Sequence, residues 1–324
     1  MKKSAKICLI FFVVVVLAAA VTLVVLFPPV DETGFEETVD ALAMMKNTRQ
    51  TAIPQTRIHT LLSEHFNSEL PEGKTEKKAI VIGYDGCRVD TFSLLDSEHK
   101  SAINTLINDG GQAVFSYCGG VNMPEKNTQD TSTAPGWCSM LTGEWADVHG
   151  VYKNYQPKQV EPKTLLISLV EDGKIDSSAF YVSWAGHFSK PKATYINELN
   201  YIEENKINSK FLRANDDDGT IENVLGDINK ADCSDFIFLT LEYTDHNGHG
   251  TGFSLDNPNY VNGFYSAEEA GASFIEAIKS RPTYDKEDWL ILITTDHGGI
   301  RRNHGGPSVQ ERTTFIVSNK EIAD

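Results

Sequence analysis

Three short apolar runs of this 324-residue chain end in an aspartate or lead into one. Asp85 closes AIVIGYD, Asp245 follows IFLTLEYT and Asp296 closes LILITTD. Histidines stand close behind two of them. Asp245 opens DHNGHG, which puts His249 four residues on within a glycine-containing turn; His297 follows Asp296 directly, and NHGG then brings His304. A single aspartate after a strand commonly caps a helix or forms a turn, and a single histidine is more often packed or solvated than bound to metal. Three acids and three imidazoles in this pattern offer carboxylate oxygen and imidazole nitrogen, the donors of zinc and related divalent ions. Six donors exceed the need of one catalytic zinc and suit two, which can clamp the attacking and leaving oxygens of a displacement. Such chemistry needs a nucleophile. The segment TSTAPGWCSMLTG (131–143) places hydroxyls just ahead of a helix expected to begin near Pro135. A helix N-terminus favours an anionic oxygen, although plain N-capping by Thr133 reads the same residues equally well.

The elements that must position these groups alternate along the chain. Apolar runs at 79–85, 113–118, 178–184, 235–242 and 289–296 are rich in β-branched and aromatic residues and predict buried strands. Between them, amphipathic stretches at 99–109, 136–142, 162–172, 219–231 and 266–280 predict helices. Strands alternating with helices imply an α/β fold, a mostly parallel sheet sandwiched between helices. Sites in such sheets form beyond the carboxyl ends of the strands, where the three acids fall.

In this order the residues resemble the alkaline phosphatase superfamily, in particular its type I phosphodiesterase/nucleotide pyrophosphatase branch. The resemblance is carried by Asp85-Gly86, by Thr133-Ala134-Pro135-Gly136-Trp137 with Thr142-Gly143, by His149-Gly150 with Asn154, by Asp245 to His249, and by Asp296-His297-Gly298. It implies an alkaline-phosphatase-like α/β/α catalytic domain over 77–324 and a two-zinc hydrolase of phosphoric esters. It further implies Thr133 as nucleophile, through a phosphothreonine intermediate. Asp85, Asp296, His297 and the Thr133 oxygen would hold one zinc, and Asp245, His249 and His304 the other. Asn154 would donate to a phosphoryl oxygen, while His149 would support its turn. Ala134, Gly136 and Trp137 depart from the Phe, Asn and His usual in the branch, and Trp137 and Cys138 are expected to pack. A phosphodiester or nucleotide is the expected substrate; the same fold also serves phosphomonoesterases, phospho-headgroup transferases and sulfatases. The arginine of the usual sulfatase motif is missing after Thr133. A non-catalytic, membrane-tethered binding protein would be expected to have lost donors, yet every position is filled.

Lys190 and Lys192 could neutralise an extra phosphate charge or be solvated loop lysines. Trp184, His187 and Phe188 could stack a base or close a core, and Arg301 and Arg302 could touch a phosphate. The run Ile7 to Phe27 holds 21 uncharged, almost wholly apolar residues, enough to span a bilayer. With Lys2, Lys3 and Lys6 before it, a single-pass anchor with a cytoplasmic basic tail (1–6) and an extracytoplasmic remainder is expected. Residues 28–76, polar and acidic with helix-like patterning at Glu36 to Lys46 and Thr56 to Phe66, read as a stem. The formal net charge of −16 disfavours a nucleic-acid-binding surface. Cys87, Cys118, Cys138 and Cys233 would allow two disulfides or four buried thiols.

Overall fold

The computed structural model describes residues 52–120, 128–155, 163–188 and 193–322. The expected tail, anchor and first part of the stem lie outside them, as do Lys190 and Lys192. Among the described residues no helix is long and apolar enough to cross a membrane.

The described residues hold eight strands: β1 (Ile53–Pro54), β2 (Glu76–Tyr84), β3 (Gln112–Tyr117), β4 (Ser178–Val182), β5 (Ser209–Arg213), β6 (Phe236–Leu241), β7 (Glu287–Thr294) and β8 (Thr313–Ser318). They form one sheet in the order β1-β3-β8-β7-β2-β6-β4-β5. β8 runs antiparallel to β3 and β7, and every other pairing is parallel. The described helices are α1 (Arg57–Asn67), α2 (Ala102–Asn108), α3 (Thr133–Thr142), α4 (Ala146–His149), α5 (Leu165–Glu171), α6 (Ile196–Asn205), α7 (Asp217–Ile228), α8 (Tyr243–Thr251), α9 (Pro258–Lys279) and α10 (Val309–Arg312).

The central strands are apolar on both faces, and successive residues feed two cores. Ile80, Ile82 and Tyr84 of β2, with Ile237, Leu239 and Leu241 of β6, pack against α2, α7 and α9. Ala79 and Val81, with Phe236 and Phe238, face α1, α3 and α5 on the other side. This period-two division produces the expected three-layer α/β/α sandwich. All four cysteines in the described part are buried free thiols.

The sheet edges and the stem differ from the sequence reading. The edge strands β1 and β5 and the antiparallel β8 were not expected, and the expected stem does not extend to residue 76. Ile53–Pro54 pairs with β3. The amphipathic stretch beyond it forms α1, which buries Ile58, Leu61, Leu62 and Phe66 in the second core. A helix with an apolar stripe needs a surface to bury it on, and the sheet supplies one. Leu62→Ala, at a fully buried site, should therefore cost about 2–5 kcal/mol in urea denaturation. A cost under about 0.5 kcal/mol would place α1 outside the cooperative unit.

Candidate metal centre

β7, β2 and β6 lie side by side with residues 79–83 of β2 paired to both neighbours. The chain therefore leaves three adjacent strands along one edge. Asp85 lies just past β2, Asp296 just past β7 and Asp245 in the first turn of α8, which follows β6. Strands are about 4.8 Å apart, so acids placed at these ends face one another. Gly86 makes the approach feasible. It adopts a left-handed conformation, φ 66°, and a Cβ there would lie 2.8 Å from Asp245 Oδ1. Its N–H donates to Asp296 Oδ1 at 3.1 Å.

The donors fall into two groups, each with its ligand atoms within 4.8 Å of one another. In the first, His297 Nε2 lies 3.5 Å from Asp85 Oδ1 and 3.3 Å from Asp296 Oδ2, all three side chains fully buried. In the second, His249 Nε2 lies 3.4 Å from Asp245 Oδ2 and His304 Nε2 lies 3.6 Å from Asp245 Oδ1. The two Nε2 atoms are 3.1 Å apart. Asp245 and His249 sit on a helix rather than in the expected turn; α8 forms despite Gly248 and Gly250, and a four-residue spacing on a helix puts both side chains on one face.

Each imidazole has its Nδ1 on a main-chain carbonyl: His297 on Gly298 at 2.7 Å, His249 on Arg302 at 2.9 Å and His304 on Thr131 at 3.0 Å. Carbonyls only accept, so the proton belongs on Nδ1 and each Nε2 turns inward. Arg302 thus contributes its backbone. Burial, then the neighbouring His304, holds His297 well below the usual histidine pKa, and burial lowers His304. Burial followed by Asp296, Glu242 and Asp245 pushes Asp85 well above the carboxylate range. Asp296 is raised by burial and Asp245, against the Gly86 hydrogen bond. Asp245 Oδ1, Asp296 Oδ2 and His297 Nε2 are buried with no hydrogen-bond partner. Orphaned donors and acceptors of this kind cost about 1–3 kcal/mol each, and inward-facing oxygen and nitrogen lone pairs are what a divalent ion takes up. The donor set fits zinc.

Glu242, which the sequence reading passed over, forms a third group with Asp85 and Asp245. Thr240 Oγ1 donates to its Oε1 at 3.3 Å. Burial, then Asp217, Asp245 and Asp296, pushes its pKa well up. Its signal was available, since Glu242 ends the run FIFLTLE as Asp85 ends AIVIGYD.

Thr133 opens α3, 2% exposed, with Oγ1 3.5 Å from Asp85 Oδ1. Asn154 Oδ1 accepts the Ala134 N–H at 2.8 Å, which leaves its Nδ2 as the end able to donate. His149 is tied to Ser139 Oγ and to the Val151 N–H, away from the donors. His187 and Phe188 pack with Phe180 and Tyr195. Trp184 instead lines a cleft of about 520 Å³ with Ser183, Asp217, Glu242, Tyr243 and Asp245.

A helix that opens on Thr133 beside paired Asp/His groups at the ends of adjacent parallel strands is an arrangement suited to phosphoryl-transfer chemistry. The sequence matches the model of the type I phosphodiesterase/nucleotide pyrophosphatase family over residues 79–305, and the chain belongs to that family. Among solved structures it is similar to murine ectonucleotide pyrophosphatase/phosphodiesterase 5, at 18% identity and a TM-score of 0.49, covering 68% of this chain and 57% of that one. It is also similar to alkaline phosphatase from the Antarctic bacterium TAB5, at 12% identity and a TM-score of 0.45, covering 75% and 91%. The periplasmic domain of phosphoethanolamine transferase EptC from Campylobacter jejuni follows at 14% and 0.44, covering 76% and 80%. The matched part thus spans little more than half the murine chain. No curated protein matches the chain.

Zinc should stabilise the protein in a concentration-dependent way, by about 2.7 kcal/mol at a hundredfold excess over its dissociation constant. The double variant His249→Ala/His304→Ala should bind one equivalent less than the wild type by elemental analysis. Unchanged stoichiometry would remove these histidines from the ligand set.

Proposed function

We propose that the protein is a membrane-anchored, outward-facing phosphodiesterase/nucleotide pyrophosphatase that works through a phosphothreonine on Thr133. The observation that carries this reading is the position of the Thr133 hydroxyl. It lies at the first residue of a helix and faces a ligand-type carboxylate among inward-facing donors. Two divalent ions, one with Asp85, Asp296, His297 and Thr133 and one with Asp245, His249 and His304, would supply Lewis acidity that lowers the pKa of a hydroxyl and offsets charge at phosphorus.

The chain's own part follows from its geometry. Thr133 Oγ attacks phosphorus in line, the bond to the leaving ester oxygen breaks, and the phosphoryl group is carried on Thr133. The positive end of the α3 dipole favours the anionic phosphoryl oxygens, while the N–H groups of Ala134 and Gly136 are taken by Asn154 and Ser132. Asn154, oriented by Ala134, presents Nδ2 to a non-bridging oxygen. Water then breaks the Thr133–phosphorus bond, restoring the hydroxyl and releasing a phosphate monoester from a diester substrate. Concentrated positive charge at such a site lets a protein of net charge −16 accept an anionic ester. The apolar run Ile7 to Phe27 supports the anchoring, and the lysines before it support the outward orientation of the catalytic part.

The purified zinc-loaded protein should hydrolyse bis-p-nitrophenyl phosphate in preference to p-nitrophenyl phosphate. Thr133→Ala should lower that rate on the order of 10³-fold or more. Monoester preference would convert the reading to a phosphatase, and full activity in Thr133→Ala would exclude the phosphothreonine.

A further inference from the structure

One helix face holds both oxygens of Asp85. Thr133 and Trp137 are four residues apart on α3 and so point the same way. Thr133 Oγ1 lies 3.5 Å from Asp85 Oδ1, and the Trp137 indole Nε1–H donates to Asp85 Oδ2 at 3.1 Å. The two oxygens are thereby distinguished. Oδ1 faces His297 Nε2 at 3.5 Å, while Oδ2 is turned to the indole. An indole N–H donates and does nothing else, so it can hold a carboxylate without competing for the cation that the carboxylate binds.

The seat for this ring is built into β2. Trp137 is fully buried and meets Phe238 edge-on, with centroids 5.6 Å apart at 83°. Gly83 lies under it. A Cβ at that position would be 2.5 Å from Cη2 and 2.9 Å from Cζ3 of the indole. Gly83 precedes Asp85 by two residues and therefore faces the same layer. A notch and an acid at i and i+2 on the strand thus dock against a hydroxyl and an indole at i and i+4 on the helix. Packing alone would explain the ring but not the N–H aimed at the distal oxygen of the acid.

We propose that Trp137 is a positioning residue for the metal ligand Asp85. Its N–H fixes the rotation of the carboxylate so that Oδ1 is presented to the ion and to Thr133, and Gly83 provides the space for it. The inference rests on the reading of Asp85 as a ligand. Hydrogen-bonded supports of this kind typically contribute 10–100-fold to metal affinity.

The test is zinc affinity of the full chain in detergent, by competition with a chromophoric chelator, alongside the melting temperature of the zinc-free protein. Trp137→Phe keeps an aromatic ring and removes the donor; it should bind zinc about 10–100-fold more weakly. A chain with 3-benzothienylalanine at position 137 keeps the bicyclic shape and lacks only the N–H, and it should show the same loss even where Trp137→Phe fails to fold. The Co(II)-loaded variants should also differ from the wild type in their visible bands. Wild-type zinc affinity in the benzothienylalanine protein would overturn the proposal while leaving the ligand reading intact. A wild-type chain that binds no zinc would overturn that reading, and this one with it.

Discussion

Asp85, Glu242, Asp245 and Asp296 converge at the ends of three adjacent parallel strands, and their mutual repulsion is the constraint around which the site is arranged. Two unit charges 4 Å apart at an effective dielectric constant near 20 repel by about 4 kcal/mol. The rise of the Asp85, Asp296 and Glu242 pKa values through burial and through one another expresses that cost. The sheet register brings these groups together through a long ladder of backbone hydrogen bonds on buried strands, so the local structure cannot relax the repulsion by moving apart. Protons or cations must compensate it, and the inward-facing Nε2 atoms of the three histidines favour cations.

The surrounding residues act mainly by fixing orientation. Three backbone carbonyls, those of Gly298, Arg302 and Thr131, select the imidazole tautomers. The Thr131 hydroxyl reaches the Gly306 carbonyl and accepts the Gly305 N–H. The loop before Thr133 is thus clasped to the loop that carries His304. A shift of either loop would move Thr133 and a ligand together, which keeps their relative geometry when the surface fluctuates.

The central part of this arrangement was legible in the sequence because both faces of the middle strands are buried. AIVIGYD, FIFLTLE and LILITTD are continuous apolar runs of the kind only such strands carry, and the acids stand out at their ends. The edges were less legible. β5 has the half-exposed pattern of an edge strand and charged residues at Lys210 and Arg213. β1 has two residues. The amphipathic character of α1 was visible, but a stripe does not say what covers it. The helix carrying Asp245 and His249 was hidden by its glycines, whose low propensity is outweighed by tertiary packing. Trp137 was read as a packing residue because nothing linear links it to Asp85, which lies 52 positions earlier.

The two donor groups differ in exposure, and that asymmetry bears on how the proposed reaction would run. Asp85, Asp296 and His297 are fully buried next to a Thr133 that is almost so, whereas His249 is 44% exposed and borders the open cleft with Asp245. A nucleophilic hydroxyl held in the buried group is kept from solvent, which preserves the strength of every electrostatic contact around it. In the proposed reaction the outer group, which borders the cleft, would be where an ester oxygen departs and a water enters. In-line displacement needs those two events on the side opposite the nucleophile. The gradient from buried Thr133 and the inner acids to the exposed histidine leaves solvent access to the outer group, as the proposed two-step reaction would require.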